Sequence, residues 1–151
     1  MIEGRFADTS GRPIIEGKII LPRLGIEDNV RFLMDTGADS SVLMPGDARR
    51  LLIPYDLLEG DHKCGGIGGT VHSFVERAIL VFVSPSRMLY GCDLELDVMP
   101  ADPDMEDVPS LLGRDILDRW RIIYDPQKSV LCAKPRSADI TVDLAKNAEA
   151  A

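Results

Sequence analysis

The chain has 151 residues, 45% of them apolar, and a formal charge of −8 at neutral pH. This length suits a single domain with a buried core. The acidic balance excludes nucleic acid as the main partner, because phosphate binding needs a basic face. The three cysteines (Cys64, Cys92, Cys132) are odd in number and widely spaced, and there are only two histidines, His62 and His72. Such a pattern offers no disulfide framework and no metal site, and it points to free thiols in a reducing compartment. No apolar signal core opens the chain, and no run approaches about 18 apolar residues. No membrane association is expected, and the expected location is the cytoplasm.

In chain order, "DTSGRP" (8–13) reads as a turn and "IIEGKIIL" (14–21) as a strand. "LPRLGIEDN" (21–29) reads as a long hairpin loop, and "VRFLM" (30–34) as the returning strand, ending at Asp35. "SSVLMP" (40–45) is a short apolar strand, and "GDARRLLI" (46–53) suits one or two helical turns. In "KCGGIGGTVHSF" (63–74), paired glycines flank one isoleucine between two β-like arms, the pattern of a mobile hairpin tip.

"ERAILVFV" (76–83) and "RMLYGCDLELDVM" (87–99) are further strands, the second alternating in "DLELDV". "PADPDMEDVPS" (100–110) is an acidic loop. Seven acids and no bases lie between Asp93 and Asp107, a pattern of solvated surface. After Gly113, "LLGRDILDRW" (111–120) has helical character, with Ile116, Leu117 and Trp120 at helical spacing. "RIIYDPQKSVLCA" (121–133) is strand, turn, strand. The domain is expected over 1–136, followed by a flexible polar tail over 137–151. Few strands alternate with helices, so a parallel α/β sheet is disfavoured.

The chemistry centres on "DTG" at 35–37. The tight turn that Gly37 permits places the Asp35 carboxylate at a strand end, and the Thr36 hydroxyl can lock the loop. One carboxylate cannot both take a proton from water and give one to a scissile amide. Two carboxylates sharing a proton can. The motif occurs once, so a complete site needs two chains related by a two-fold axis.

Three motifs together, "LMDTGADSSVL" (33–43), "GGIGG" (65–69) and "LLGRDIL" (111–117), resemble the retroviral-type aspartic proteases, the retropepsins, in order and spacing. The resemblance implies an all-β fold: a closed, barrel-like domain with a flap hairpin and one short C-terminal helix, forming a two-fold homodimer. It implies an aspartic endopeptidase acting on peptide or protein substrates, with no cofactor and no metal. Asp35 matches the catalytic aspartate, and Thr36, Gly37 and Ala38 match the loop that supports it. Gly37, Ala38, Asp39 and Val42, with Gly66, Ile67 and Gly68 of the flap, match substrate-binding positions. Arg114 matches an arginine that pairs with Asp39, here expected as a buried structural partner.

Pepsin-like enzymes usually carry Ser or Thr where this chain has Ala38. A hydroxyl there can donate to the charged carboxylate and a methyl group cannot, which implies work at mildly acid to near-neutral pH. The cleft is expected to be apolar from Val42, Leu43 and Ile67.

Plainer roles compete for several of these residues. "DTG" alone marks a turn, and Asp115 reads as a helix-surface charge. Cys64 reads as a passive thiol, and Trp120 as core. "GGIGG" lacks the Lys-Ser/Thr of a phosphate loop. The alternative for the whole chain is an inactive module of the same fold that dimerises or binds peptides.

Overall fold

The computed structural model describes the backbone of residues 1–66 and 69–150 and the side chains of 1–61 and 72–147. Two very short strands, β1 (Ile2–Glu3) and β2 (Arg5–Phe6), precede the long strands β3 (Pro13–Leu21) and β4 (Ile26–Met34). Next come β5 (Val42–Leu43), α1 (Pro45–Arg50), β6 (His62–Gly66), β7 (Gly69–Val83) and β8 (Met88–Val98). The chain ends with β9 (Ser110–Leu112), α2 (Arg114–Leu117), β10 (Trp120–Asp125), β11 (Val130–Pro135), β12 (Ile140–Asp143) and α3 (Leu144–Ala150). Among the described residues no helix is long and apolar enough to cross a membrane.

Six strands close into a barrel. β4 pairs antiparallel with β3 and parallel with β9; β9 meets β5 at Val42 and Leu111; β5 runs parallel to β8; and β7 bridges β8 and β3. Alternation along β3 turns Ile15, Gly17, Ile19 and Leu21 inward, as a period of two requires. Phe32 and Phe82 fill the interior, and Trp120 meets Phe82 edge-on at 4.9 Å. Gly17 is needed beneath Phe82, because a Cβ there would lie 2.6 Å from the ring.

The connection between β3 and β4 is shorter than expected. Leu21 pairs with Ile26, so only residues 22–25 turn, closed by Gly25 at φ +65°. Glu27, Asp28 and Asn29 belong to β4, on an exposed stretch of it. The turn is anchored by Arg23, which donates twice to the buried Glu76 (2.6 and 2.9 Å) and once to the Leu57 carbonyl (2.8 Å). The helix expected over 114–120 is also shorter: α2 ends at Leu117, and Trp120 opens β10. The acidic loop turns through one 3₁₀ segment at Pro103–Met105 and docks on α1. Arg49 pairs with Glu106 there, and a Cβ on Gly46 would overlap the Glu106 carbonyl.

The segment expected as a tail is built into the domain as far as Asp143. β12 pairs with the start of β8, from Ile140 opposite Gly91 to Asp143 opposite Met88. Asp139 clips it down, accepting from the Arg119 guanidinium (3.1 Å) and from the Asp93 N–H (2.8 Å). The Arg119 bond, then the backbone N–H, hold the Asp139 carboxyl below its ordinary range. A carboxylate depressed on folding stabilises the fold above its unfolded pKa, and that contribution fades as pH falls through the folded value. Amides of β12 should therefore exchange faster, relative to the intrinsic rate, only below the ordinary carboxylate range. Asp139→Asn should produce the same loosening at neutral pH. Hydrogen exchange read by mass spectrometry checks both.

Candidate active site

β4 delivers Asp35 to the end of the barrel. Its pairing with β9 stops at Met34 opposite Leu112, and the Asp35 N–H then donates to the Leu112 carbonyl at 3.0 Å. The chain turns there: the Ala38 N–H reaches the Asp35 carbonyl (3.2 Å), and the Gly37 N–H donates to Asp35 Oδ1 (2.9 Å). One backbone donor thus fixes the carboxylate's orientation. Asp35 and Ala38 are half-buried, while Thr36, Gly37 and Asp39 are exposed. The carboxylate stands on an open surface of the single chain.

The segment after Gly113 clamps this loop. The Gly113 N–H donates to Ser41 Oγ (3.1 Å), and the Arg114 N–H donates to the Ala38 carbonyl (2.9 Å). The Arg114 guanidinium pairs with the Asp39 carboxylate. Asp115 accepts from both the Ser41 N–H (2.9 Å) and the Ser41 hydroxyl (2.7 Å). Three consecutive residues therefore hold Ala38, Asp39 and Ser41 through five contacts. Gly113 also permits the close approach, since a Cβ would sit 2.5 Å from the Ser40 carbonyl carbon.

Two expectations change here. Arg114 is not buried: its side chain is 48% exposed and its partner Asp39 is 83% exposed, the regime in which an ion pair adds little stability. Asp115 is no free surface charge, because its carboxylate satisfies the fully buried Ser41.

A further carboxylate gave no signal in the sequence. Asp97, only 2% exposed, accepts from the Ser40 hydroxyl at 2.5 Å and from the Ser73 hydroxyl at 3.3 Å. Ser40 follows the Asp35 loop, and Ser73 lies opposite His62 at the start of the β6–β7 hairpin. Asp97 therefore joins the segment that follows Asp35 to the base of that hairpin. The hairpin itself is antiparallel from His62 opposite Ser73 to Gly66 opposite Gly69. Ile67 and Gly68, matched to flap positions, lie outside the described residues, as does the Cys64 side chain. Val42 is 9% exposed, and Leu43 is wholly buried in the core, so Leu43 does not line a cleft.

No protein-family model matches the chain, and neither does any curated protein. Among solved structures, the chain is similar to a retropepsin-like aspartic protease from Rickettsia conorii, at 21% identity and a TM-score of 0.52, covering 89% of this chain and 92% of that one. It is also similar to the EIAV protease complexed with the inhibitor HBY-793, at 24% identity and a TM-score of 0.43, covering 74% and 90%. The chain has a retropepsin-like fold.

Proposed function

We propose that this chain is an aspartic endopeptidase whose active site is shared between two copies. The observation that carries the reading is the placement of Asp35: an oriented carboxylate at the end of a barrel strand, half-exposed, and one to a chain. A like-folded protein from Rickettsia that is called an aspartic protease supports it. In the dimer, two Asp35 carboxylates share one proton, because like charges at close range cannot both ionise. The ionised one takes a proton from water as the water oxygen attacks the scissile carbonyl carbon. The protonated one gives its proton to the carbonyl oxygen. The first carboxyl, now protonated, then gives its proton to the amide nitrogen while the second takes a proton back from the diol. The amine leaves as the C–N bond breaks, and the single shared proton is restored.

The exposed Gly37 and Asp39 offer backbone groups to an extended peptide, and the glycine-rich hairpin acts as the lid that excludes water. Thr36 locks the loop to its twin. Arg114 keeps Asp39 oriented for the substrate backbone. Digestion of a proteome-derived peptide library by the purified protein tests the reading. New cleavage sites in extended peptides are expected, and an unchanged library at every pH would sink it.

Ala38 sets the expected pH range. In Ala38→Thr, a hydroxyl that donates to the charged carboxylate would favour that form. The acid limb of the kcat/KM profile should move to lower pH in this variant. An unmoved limb would mean that the hydroxyl does not reach the carboxylate.

A further inference from the structure

Where β7 leaves the barrel, a buried carboxylate holds it. The ladder between β7 and β8 ends at Phe74 opposite Val98. From Ser73 back to Gly69, β7 pairs with β6 instead. Ser73 is therefore the first residue of the glycine-rich hairpin beyond the last β7–β8 rung. Asp97, 2% exposed, extends the barrel's grip by this one residue, because its Oδ1 accepts from the Ser73 hydroxyl at 3.3 Å. β7 runs unbroken from Gly69 to Val83, so a tilt of the hairpin is carried to this root.

The same residue holds the segment that follows Asp35. Asp97 Oδ2 accepts from the Ser40 hydroxyl at 2.5 Å, and the Asp97 N–H donates to the Ser41 carbonyl at 3.3 Å. In the sheet, Asp97 stands between Val42 of β5 and Val75 of β7. A carboxylate is planar and rigid. A turn that keeps Oδ1 with a displaced Ser73 swings Oδ2 away from Ser40. Hydrogen bonds to a charged acceptor are the strong ones, and a buried carboxylate that loses a donor is destabilised. The two hydroxyls therefore move together, or one bond is lost. Ser40 adjoins Asp39, an exposed residue that offers its backbone to a peptide in the reading above.

We infer that Asp97 is a positioning residue that couples the hairpin to the peptide-binding edge. The setting of the hairpin fixes the geometry of residues 38–41, and a peptide lying along that edge in turn steadies the hairpin root. The inference deepens the peptidase reading and rests on it for its kinetic consequence. Asp35 lies outside this linkage: its carboxylate is held by the Gly37 N–H, and its own N–H by the Leu112 carbonyl. Cutting the linkage should therefore weaken the binding of extended peptides more than it slows the chemical step.

Ser40→Ala, Ser73→Ala and the double variant, each in the full chain, test the coupling by peptide cleavage and by hydrogen exchange. Each single variant is expected to raise KM about fivefold or more, with kcat held within about twofold. Either break severs the link, so the double variant should be no worse than the worse single one. Effects that multiply in the double variant, or that fall on kcat alone, mark two independent structural bonds and overturn the inference. Ser40→Thr keeps the hydroxyl at a half-buried position and should hold the wild-type KM; a KM raised as far as in Ser40→Ala also overturns it. In exchange, Ser73→Ala should speed the amides of residues 38–41, across the carboxylate, and Ser40→Ala those of residues 72–75. Loosening confined to each variant's own segment counts against the coupling, and so does loosening spread evenly along the chain with a lowered thermal melt. A wild type that cuts no peptide sinks the peptidase reading, and the exchange experiment then decides the coupling by itself.

Discussion

Asp35→Asn is expected to lower peptide hydrolysis by about 10²–10⁴-fold, the scale of general acid–base catalysis, while leaving fold and assembly intact. The substitution is nearly isosteric. An asparagine oxygen can still accept the Gly37 N–H that now bonds Oδ1 at 2.9 Å, so the turn keeps its geometry. What is lost is the ability to take and return a proton. Steady-state kinetics beside a thermal melt separate these effects, and activity close to wild type in this variant would remove Asp35 from the mechanism. Mixing the two proteins sharpens the test. If one site needs a carboxylate from each copy, activity falls as the square of the wild-type fraction once protomers exchange. A linear fall would mean that each chain holds a complete site.

Local chemistry made part of this site readable. A glycine two residues after Asp35 marks the turn that aims the carboxylate, and the backbone bonds of 35–38 are short-range. Asp115 was not readable in the same way. Its partner Ser41 lies 74 residues away, and an acid in a short helix looks like any solvated charge until the two segments meet. Asp97 is subtler. Asp93, Glu95 and Asp97 alternate along β8, as on a solvated face, and Asp93 does lie outside, paired with Arg77 at 2.7 Å. Near Val98 the same strand is flanked by β5 on one side and β7 on the other. That closure buries Asp97, and periodicity in one strand carries no information about its neighbours.

The long strands were legible for the converse reason. Runs such as "IIEGKIIL" and "ERAILVFV" declare their β character through β-branched residues whatever the topology. Glu27, Asp28 and Asn29 misled because polarity suits a loop and the outer side of a twisted hairpin equally. β12 was hidden by its brevity and by an ion pair, Arg119 with Asp139, that no local pattern announces.

The two glycines of the site should fail in different ways when replaced. At Gly113 an added Cβ meets backbone on both sides: the Ser40 carbonyl carbon at 2.5 Å, its oxygen at 2.6 Å and the Ala38 oxygen at 3.0 Å. None of these atoms can swing aside, so β9, α2 and the Asp35 loop must separate. Overpacking of this kind costs about 1–3 kcal/mol, and in a chain of this size each kcal/mol lowers the melting temperature by about 2–4 °C. The same separation stretches the Gly113–Ser41 and Arg114–Ala38 bonds that hold the loop, so Gly113→Ala should lose stability and kcat together. At Gly37 the nearest atom to an added Cβ is Asp35 Oδ1, at 3.2 Å. That atom ends a side chain and can rotate away without disturbing the barrel. Gly37→Ala should therefore melt near the wild-type temperature yet lose kcat, because the carboxylate is turned from its donor. A calorimetric melt and a kcat measurement on each variant decide the matter. Equal stability losses at the two positions would show that Gly113 is not the close contact on which the clamp depends.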